Sequence, residues 1–182
     1  MKRDYGPQTF VYPMPVFILG TYDENGIPNA MNAAWGGTYD TNMVTVSLSK
    51  HQTTDNLEAK KCFTLAFGTV KTLKACDYVG LVSGRTVKDK IAKAGLTPVK
   101  APHIDAPLFE EFPITLECKV VSFEEGTLIA RIVNVIIDDE VLTDGKVDPV
   151  KMEAIVYEPI THRYLVAKEA VGQAFRDGLA LK

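Results

Sequence analysis

The chain is poor in the residues that usually announce chemistry. Of its 182 residues only three are cysteine, Cys62, Cys76 and Cys118, an odd number at wide spacing. They form neither a disulfide framework nor a Cys-x-x-Cys metal pair, and reduced thiols of this kind predict a cytoplasmic protein. The three histidines, His51, His103 and His162, stand far apart without a neighbouring ligand, which predicts no metal site. No apolar run is long enough to cross a bilayer. The opening MKRDYGPQTF carries no apolar stretch of signal-peptide type. There is no excess of basic charge either. Lys and Arg total 20 against 23 Asp and Glu, for a net charge of −3, which argues against a nucleic-acid partner. The nucleotide and hydrolase signatures are also missing. No Gly-x-Gly-x-x-Gly occurs. In GLVSGRT, residues 80–86, the spacing and Arg85 fit no P-loop, and Ser83 falls one place late for a nucleophile elbow. Asp138 to Glu140 lacks the further ligands of a metal site and reads as a solvated loop.

The chain does have an ordinary globular balance, 46% hydrophobic and 24% charged, in a length that suits one domain over residues 1–182. Strands dominate the pattern. They are expected at Val16–Tyr22, Asn29–Gly37, Met43–Ser49, Cys62–Phe67, Ile114–Phe123, Thr127–Ile137 and Ile155–Tyr157. Asn25-Gly26 supplies a hairpin turn between the first two. Asp55 and Glu58 suggest the start of a short helix over Asn56–Lys61. Further helices are expected near Lys71–Val79, near Val87–Ala94 and, at the end of the chain, over Lys168–Arg176. Residues 97–113 hold four prolines and read as a long extended loop, often a functional feature. The whole predicts a mainly β, antiparallel barrel with short peripheral helices and a C-terminal helix.

Two stretches stand out. NAMNAAWGG, Asn29 to Gly37, puts Ala30, Ala33, Ala34, Gly36 and Gly37 around the only tryptophan, Trp35. Small side chains let another strand, another subunit or a flat ligand approach the backbone. SLSKHQTTDN, Ser47 to Asn56, runs from a strand end into a helix start. Its hydroxyls, its cation Lys50 and the free amides of a helix N-terminus suit an anion. It also reads as a plain loop capped by Thr54 or Asp55. The two stretches are joined by one strand turn and so lie close. Phosphate at one and a flat ring at the other describe flavin mononucleotide (FMN).

The same residues carry a family likeness. VFILGTYDENGIPNAMNAAWGG, VTVSLSK, VSGRTVKDKIAKAGLT, APLFEEFPITLECKV, AIVYEP and AVGQAF, in that order and spacing, resemble the flavin reductase-like proteins with an FMN-binding split barrel. The resemblance implies noncovalent FMN, a homodimer, and electron transfer through the flavin from NAD(P)H or a protein partner. It implies that Asn32, Ala33, Ala34 and Trp35 run beside the flavin ring. Ser47, Leu48 and Ser49 would line the ribityl chain. Lys50, Thr53 and Thr54 would meet the phosphate with Asn56 in support, and Ser83 and Lys90 would add to the pocket. Where relatives often carry Arg in the strand-end loop this chain has Ser49 and His51, which leaves the phosphate ligands open. A non-enzymatic FMN carrier and a pyridoxamine-phosphate-oxidase-like relative are the alternatives. No side chain is expected to be an obligatory acid, base or nucleophile, because a flavin needs stacking distance and a dry site.

Overall fold

The computed structural model describes residues 1–182. Seven strands form one antiparallel sheet: β2 (Phe17–Tyr22), β3 (Pro28–Ala33), β4 (Gly36–Asp40), β5 (Met43–Ser47), β6 (Cys62–Phe67), β9 (Ile114–Glu124) and β10 (Thr127–Ile137), in the spatial order β3-β2-β6-β9-β10-β5-β4. The two edge strands, β3 and β4, are consecutive in the chain and separated only by Ala34 and Trp35. A flat sheet seven strands wide cannot have its edges two residues apart, so the sheet must curl until they meet. The result is a barrel with an unpaired seam between β3 and β4. The β9–β10 pairing shifts register at two bulges, which add twist and help the curl.

The barrel is filled by alternate residues of these strands. Leu19, Val46, Phe63, Leu65, Cys118 and Leu128 are all buried in one cluster inside it. β2 and β6 read as continuous apolar runs because both their faces are covered. Their other face holds a second cluster with Ile18, Ala66, Val79 and Phe109. Each large apolar side chain buried this way contributes roughly 1.5–3 kcal/mol. That outer cluster is covered by the helices α2 (Leu73–Leu81) and α3 (Lys90–Lys93) and by a three-stranded sheet of β1 (Met14–Pro15), β13 (Ile155–Glu158) and β14 (Arg163–Val166). α1 (Gln52–Lys60) follows β5 and packs against β2 and β3. A small hairpin of β11 (Leu142–Thr143) and β12 (Lys146–Val147) lies between β10 and β13 in the chain.

Several sequence expectations change. NAMNAAWGG is not one strand but two, broken at the barrel corner. The first helix begins three residues before Asp55, with His51 as its extended cap residue. Its end is marked by Lys61 in the left-handed region at φ 55°. The Pro-rich segment carries two short paired strands, β7 (Pro98–Lys100) and β8 (Pro107–Phe109). β14 was not expected at all. The C-terminal helix over Lys168–Arg176 is absent, and a short 3-10 turn over Asp177–Leu181 stands further on. Val171 and Phe175, the apolar face of that expected helix, are 95% and 100% exposed. A helix of nine residues with no surface to pack on does not hold itself together in water.

The hairpin joining β9 and β10 turns through Glu125 and Gly126, both at positive φ, 48° and 80°. The Gly126 carbonyl accepts the Leu48 N–H at 2.7 Å. A Cβ on Gly126 would stand 2.8 Å from the Leu48 carbonyl oxygen. Gly126 is therefore required twice over, and the hairpin tip is pinned to the end of β5.

Candidate functional site

Three connected hollows run along the seam. The first lies at the barrel corner and measures about 400 Å³. Asn32, Ala33, Ala34 and Trp35 form one wall; Ser47, Leu48 and Ser49 face them. Local structure explains the meeting. The Ser47 N–H donates to the Trp35 carbonyl at 2.7 Å, and Gly36 pairs with Val46. The chain thus returns after β4 to run beside its own corner.

The second hollow, about 230 Å³, continues from the first through Met31, Asn32 and His51 to the N-terminus of α1. Thr53 and Gln52 stand on the helix side, Ser83 and Gly84 on the loop after α2, and Lys90 at the back. Lys90 is only 4% exposed. Desolvation by burial is the one cause that moves its ammonium, down to about 8. Across from it, Asn29 donates from Nδ2 to Thr53 Oγ1 at 2.9 Å, while its own buried Oδ1 has no partner. A buried cation and an orphaned buried acceptor in one hollow are costly unless a ligand answers them.

The side chains of two expected phosphate ligands are hydrogen-bonded within the fold. The Thr54 hydroxyl accepts from the His51 N–H at 2.9 Å and donates to the His51 carbonyl at 2.8 Å. It holds the helix start, and Thr54→Ala should cost about 1 kcal/mol of stability, read as a thermal shift. Asn56 donates to Thr21 Oγ1 at 2.9 Å and accepts from Gln52 Nε2 at 3.0 Å, tying α1 to β2. Lys50 and Ser49 are exposed at the rim. Asp55 is paired with Arg85.

The third hollow, about 450 Å³, shares Asn32 and Ala34 with the first. Its far wall is aromatic. Tyr157 and Tyr164 are cross-strand partners on β13 and β14. The Tyr157 hydroxyl meets His162 Nδ1 at 2.7 Å, and their rings stack with centroids 6.3 Å apart. The Tyr164 hydroxyl donates to Asp77 Oδ1 at 2.9 Å. Burial, then Asp77, pushes Tyr164 up to about 12. Asn32 lines all three hollows, and its side chain is fixed by donating to the Cys76 carbonyl at 3.0 Å.

Of the expected site residues, Asn32, Ala33, Ala34, Trp35, Ser47, Leu48, Ser49, Thr53, Ser83 and Lys90 come together along this groove. Sequence reasoning missed Asp77, Tyr157, His162 and Tyr164, whereas Asn29 and His51 lie within the two stretches it singled out. The missed hairpin had a signal in AIVYEPITHRYL, two aromatic-bearing strands about a Pro-containing turn. The cysteines stay out of the groove. All three are buried, and burial pushes Cys118 up to about 12 and Cys76 to about 11, so neither offers a thiolate. No group of His, Cys, Asp and Glu is placed to hold a metal. No helix is long and apolar enough to cross a membrane.

No curated protein sequence matches the chain. Among solved structures it is similar to the flavoredoxin of Desulfovibrio vulgaris (Miyazaki F), at 35% identity over 98% of this chain and 100% of that one, with a TM-score of 0.94. It is also similar to the flavoredoxin of Methanosarcina acetivorans, at 26% identity over all of both chains and a TM-score of 0.90. An FMN-binding domain of a flavin reductases-like enzyme from Shewanella baltica OS155, 22% identical over 87% of this chain and 89% of that one, shares the fold at a TM-score of 0.77. The fold is the split barrel, and the flavin reductase like domain model matches residues 9–158. The chain therefore belongs to the flavin reductase like domain family.

Proposed function

We propose that the chain is an FMN-binding redox protein that passes electrons through a noncovalently held flavin, with a reduced pyridine nucleotide as donor. One observation carries this reading. A corner walled in part by small residues is joined, in one groove, to Lys90, a buried residue with no ion pair, and to the orphaned buried oxygen of Asn29. A flavin ring suits the corner, its phosphate answers the Lys90 ammonium, and a hydroxyl of its ribityl chain is the donor the Asn29 oxygen lacks. The flavin, when bound, supplies reversible uptake of one or two electrons.

The protein's own part is binding and exclusion. Ala33 and Ala34 keep bulk away so that backbone amides of the corner reach the polar edge of a ring. Ser47 and Ser49 offer hydroxyls midway. Lys90 and the Gln52 and Thr53 end of α1 meet the phosphate. The exposed Lys50 contributes at most a screened rim charge. FMN should therefore bind more tightly than riboflavin. Titration of the purified protein with each, followed by flavin fluorescence, checks this, and equal affinities would contradict the phosphate assignment.

The enzyme reading has its own test. Anaerobic stopped-flow bleaching of bound FMN by NADH, NADPH or dithionite separates an oxidoreductase from a carrier reduced by another protein. Cys118→Ala, His51→Ala and His162→Ala should each leave the pyridine-nucleotide rate, per bound FMN, within a few-fold of the wild type. A loss of roughly 10²-fold would make that residue a general acid, base or nucleophile. Bleaching by dithionite alone would make the protein a carrier.

A second copy of the chain is the partner this surface suits. Trp35 and Tyr39, at and beyond the corner, are 54% and 57% exposed. β10 also exposes Val133 and Val135. A two-fold dimer would cover such surface, and light scattering should give twice the mass of the chain, 20.0 kDa. A stable monomer holding FMN would contradict it.

A further inference from the structure

The third hollow has no role in the reading above. It opens beside the corner assigned to the flavin ring, since Asn32 and Ala34 line both. At about 450 Å³ it falls within the range of small-molecule sites, roughly 300–1,000 Å³. The fold sets its walls. Asn32 Nδ2 donates to the Cys76 carbonyl at 3.0 Å, which fastens α2 to β3. Gly80 lets the two come close, because a Cβ there would stand 3.2 Å from the Asn32 Cβ. Asp77, one turn before Gly80 on α2, is thereby brought to the hollow. The far wall is the β13–β14 hairpin with Tyr157, Tyr164 and His162.

Asp77 is the only Asp, Glu, Lys or Arg among the lining residues. It is half-buried, its Oδ1 accepts from the Tyr164 hydroxyl at 2.9 Å, and it belongs to no ion pair. The nearest cations in the chain do not offset it. Lys74 on α2 and Arg163 on β14 do not line the hollow, and Arg163 Nε donates to Thr161 Oγ1 at 2.8 Å. The aromatic wall is held in place, with the Tyr157 hydroxyl 2.7 Å from His162 Nδ1. The hollow therefore has aromatic rings on one side and an unpaired carboxylate on another. Both attract positive charge.

We propose that the third hollow is a second ligand subsite, beside that of the flavin, for a planar ring that carries positive charge, an N-alkylated pyridinium, and that Asp77 sets this preference. The charge preference stands on the hollow's own residues; its purpose rests on the flavin reading. The ring of a reduced pyridine nucleotide is neutral. When one of its C–H bonds breaks and the hydride leaves with two electrons for the flavin, the ring is oxidised to a pyridinium and the flavin is reduced. The positive charge then appears beside Asp77, and a carboxylate already in place stabilises it as it develops. The same carboxylate turns away an anionic ring. The substrate class is thus a neutral or cationic planar ring.

The test uses one ring in three charge states: 1-methylnicotinamide, a cation; nicotinamide, neutral; and nicotinate, an anion. Each is titrated at pH 7 into the isotope-labelled, FMN-loaded protein and followed by its backbone amide shifts. Wild type should bind the cation about tenfold more tightly than nicotinamide, and nicotinate about tenfold more weakly. The shifts should centre on Gly80, Leu81 and His162, which line the hollow. Asp77→Asn keeps an acceptor for the Tyr164 hydroxyl and removes the charge, so the three rings should fall within about threefold of one another. Glu125→Gln, at the first hollow, should keep the wild-type order. Circular dichroism establishes that each variant is folded, and the wild-type series needs no variant. No binding or equal binding of the three rings by wild type, a cation preference that survives Asp77→Asn or is lost in Glu125→Gln, or shifts centred away from the hollow would overturn the proposal. If the protein takes up no FMN, the flavin reading falls, and the same series on the ligand-free protein decides the hollow by itself. If FMN binds and the charge order is absent, the flavin reading stands and this subsite alone fails.

Discussion

Gly36→Ala is expected to lower the melting temperature by about 6–12 °C, whereas Gly37→Ala should move it little. The two glycines are neighbours in sequence and strand, but their surroundings differ. A Cβ on Gly36 would stand 2.6 Å from the Thr45 carbonyl oxygen and 3.2 Å from both Phe17 and Val46. The first of these is backbone within a paired strand and cannot swing aside. Overpacking a close-packed interior costs about 1–3 kcal/mol, and a rigid backbone contact puts Gly36→Ala at the upper end. For a chain of this length each kcal/mol is worth roughly 2–4 °C. A Cβ on Gly37 meets nothing within 4 Å. Differential scanning calorimetry of both variants, without ligand, decides the matter. Equal shifts would mean that the corner is not closed as tightly as the structure shows. The same contrast settles part of the meaning of NAMNAAWGG. Gly36 is small because the barrel shuts there. Ala33 and Ala34, which line the groove, are the positions left for a ligand.

Glu117→Leu should cost about 3 kcal/mol, lowering the melting temperature by roughly 6–12 °C. Glu117 is fully buried on β9. Its carboxylate accepts from the His103 backbone N–H at 2.8 Å, meets His103 Nδ1 at 2.7 Å and accepts from Asn134 Nδ2 at 2.7 Å. It thereby pins the loop before β8 to two barrel strands. Removing it strands an amide and a backbone N–H; the His103 ring is partly in water and screened, which keeps the cost below the top of the usual range. Burial works to raise the Glu117 carboxyl, but the His103 N–H, the His103 ring and Asn134 together outweigh it and hold it below 4.5. The sign of the pH effect follows. A depressed carboxyl stabilises the fold above its unfolded value near 4.5 and loses that contribution as pH falls through the lower folded value. Wild type and Glu117→Leu should therefore differ most above about pH 5 and converge in acid. Urea unfolding at a series of pH values measures this, and a constant gap down to about pH 3 would count against the assignment.

The sequence revealed much of the barrel because its strands follow simple rules. Period-two alternation marked β5, and Asn25-Gly26 marked the hairpin that Asp23 closes by accepting from the Asn25 and Ile27 N–H groups. The features it hid depended on the third dimension. Nothing local to Ala34-Trp35 says that a strand must break there; the break follows from the two sheet edges meeting. The helix over Lys168–Arg176 had the right spacing but nothing to pack against. In the groove, hydroxyls and amides at a helix start draw attention to Thr54 and Asn56, whose side chains also bond to His51 and Thr21. The family resemblance points to both Lys50 and Lys90, and burial is what separates them, Lys50 lying exposed and Lys90 buried. Tyr157, His162 and Tyr164 became visible only once β13 and β14 folded back against α2.

The central claim is that this groove holds FMN. The direct measurement is the visible absorbance of purified protein, mixed with excess FMN, passed through gel filtration and then denatured. The account predicts a flavin spectrum that elutes with the protein at about one FMN per chain and is released intact on unfolding. Protein that emerges colourless, or a chromophore that stays with the unfolded chain, would contradict it.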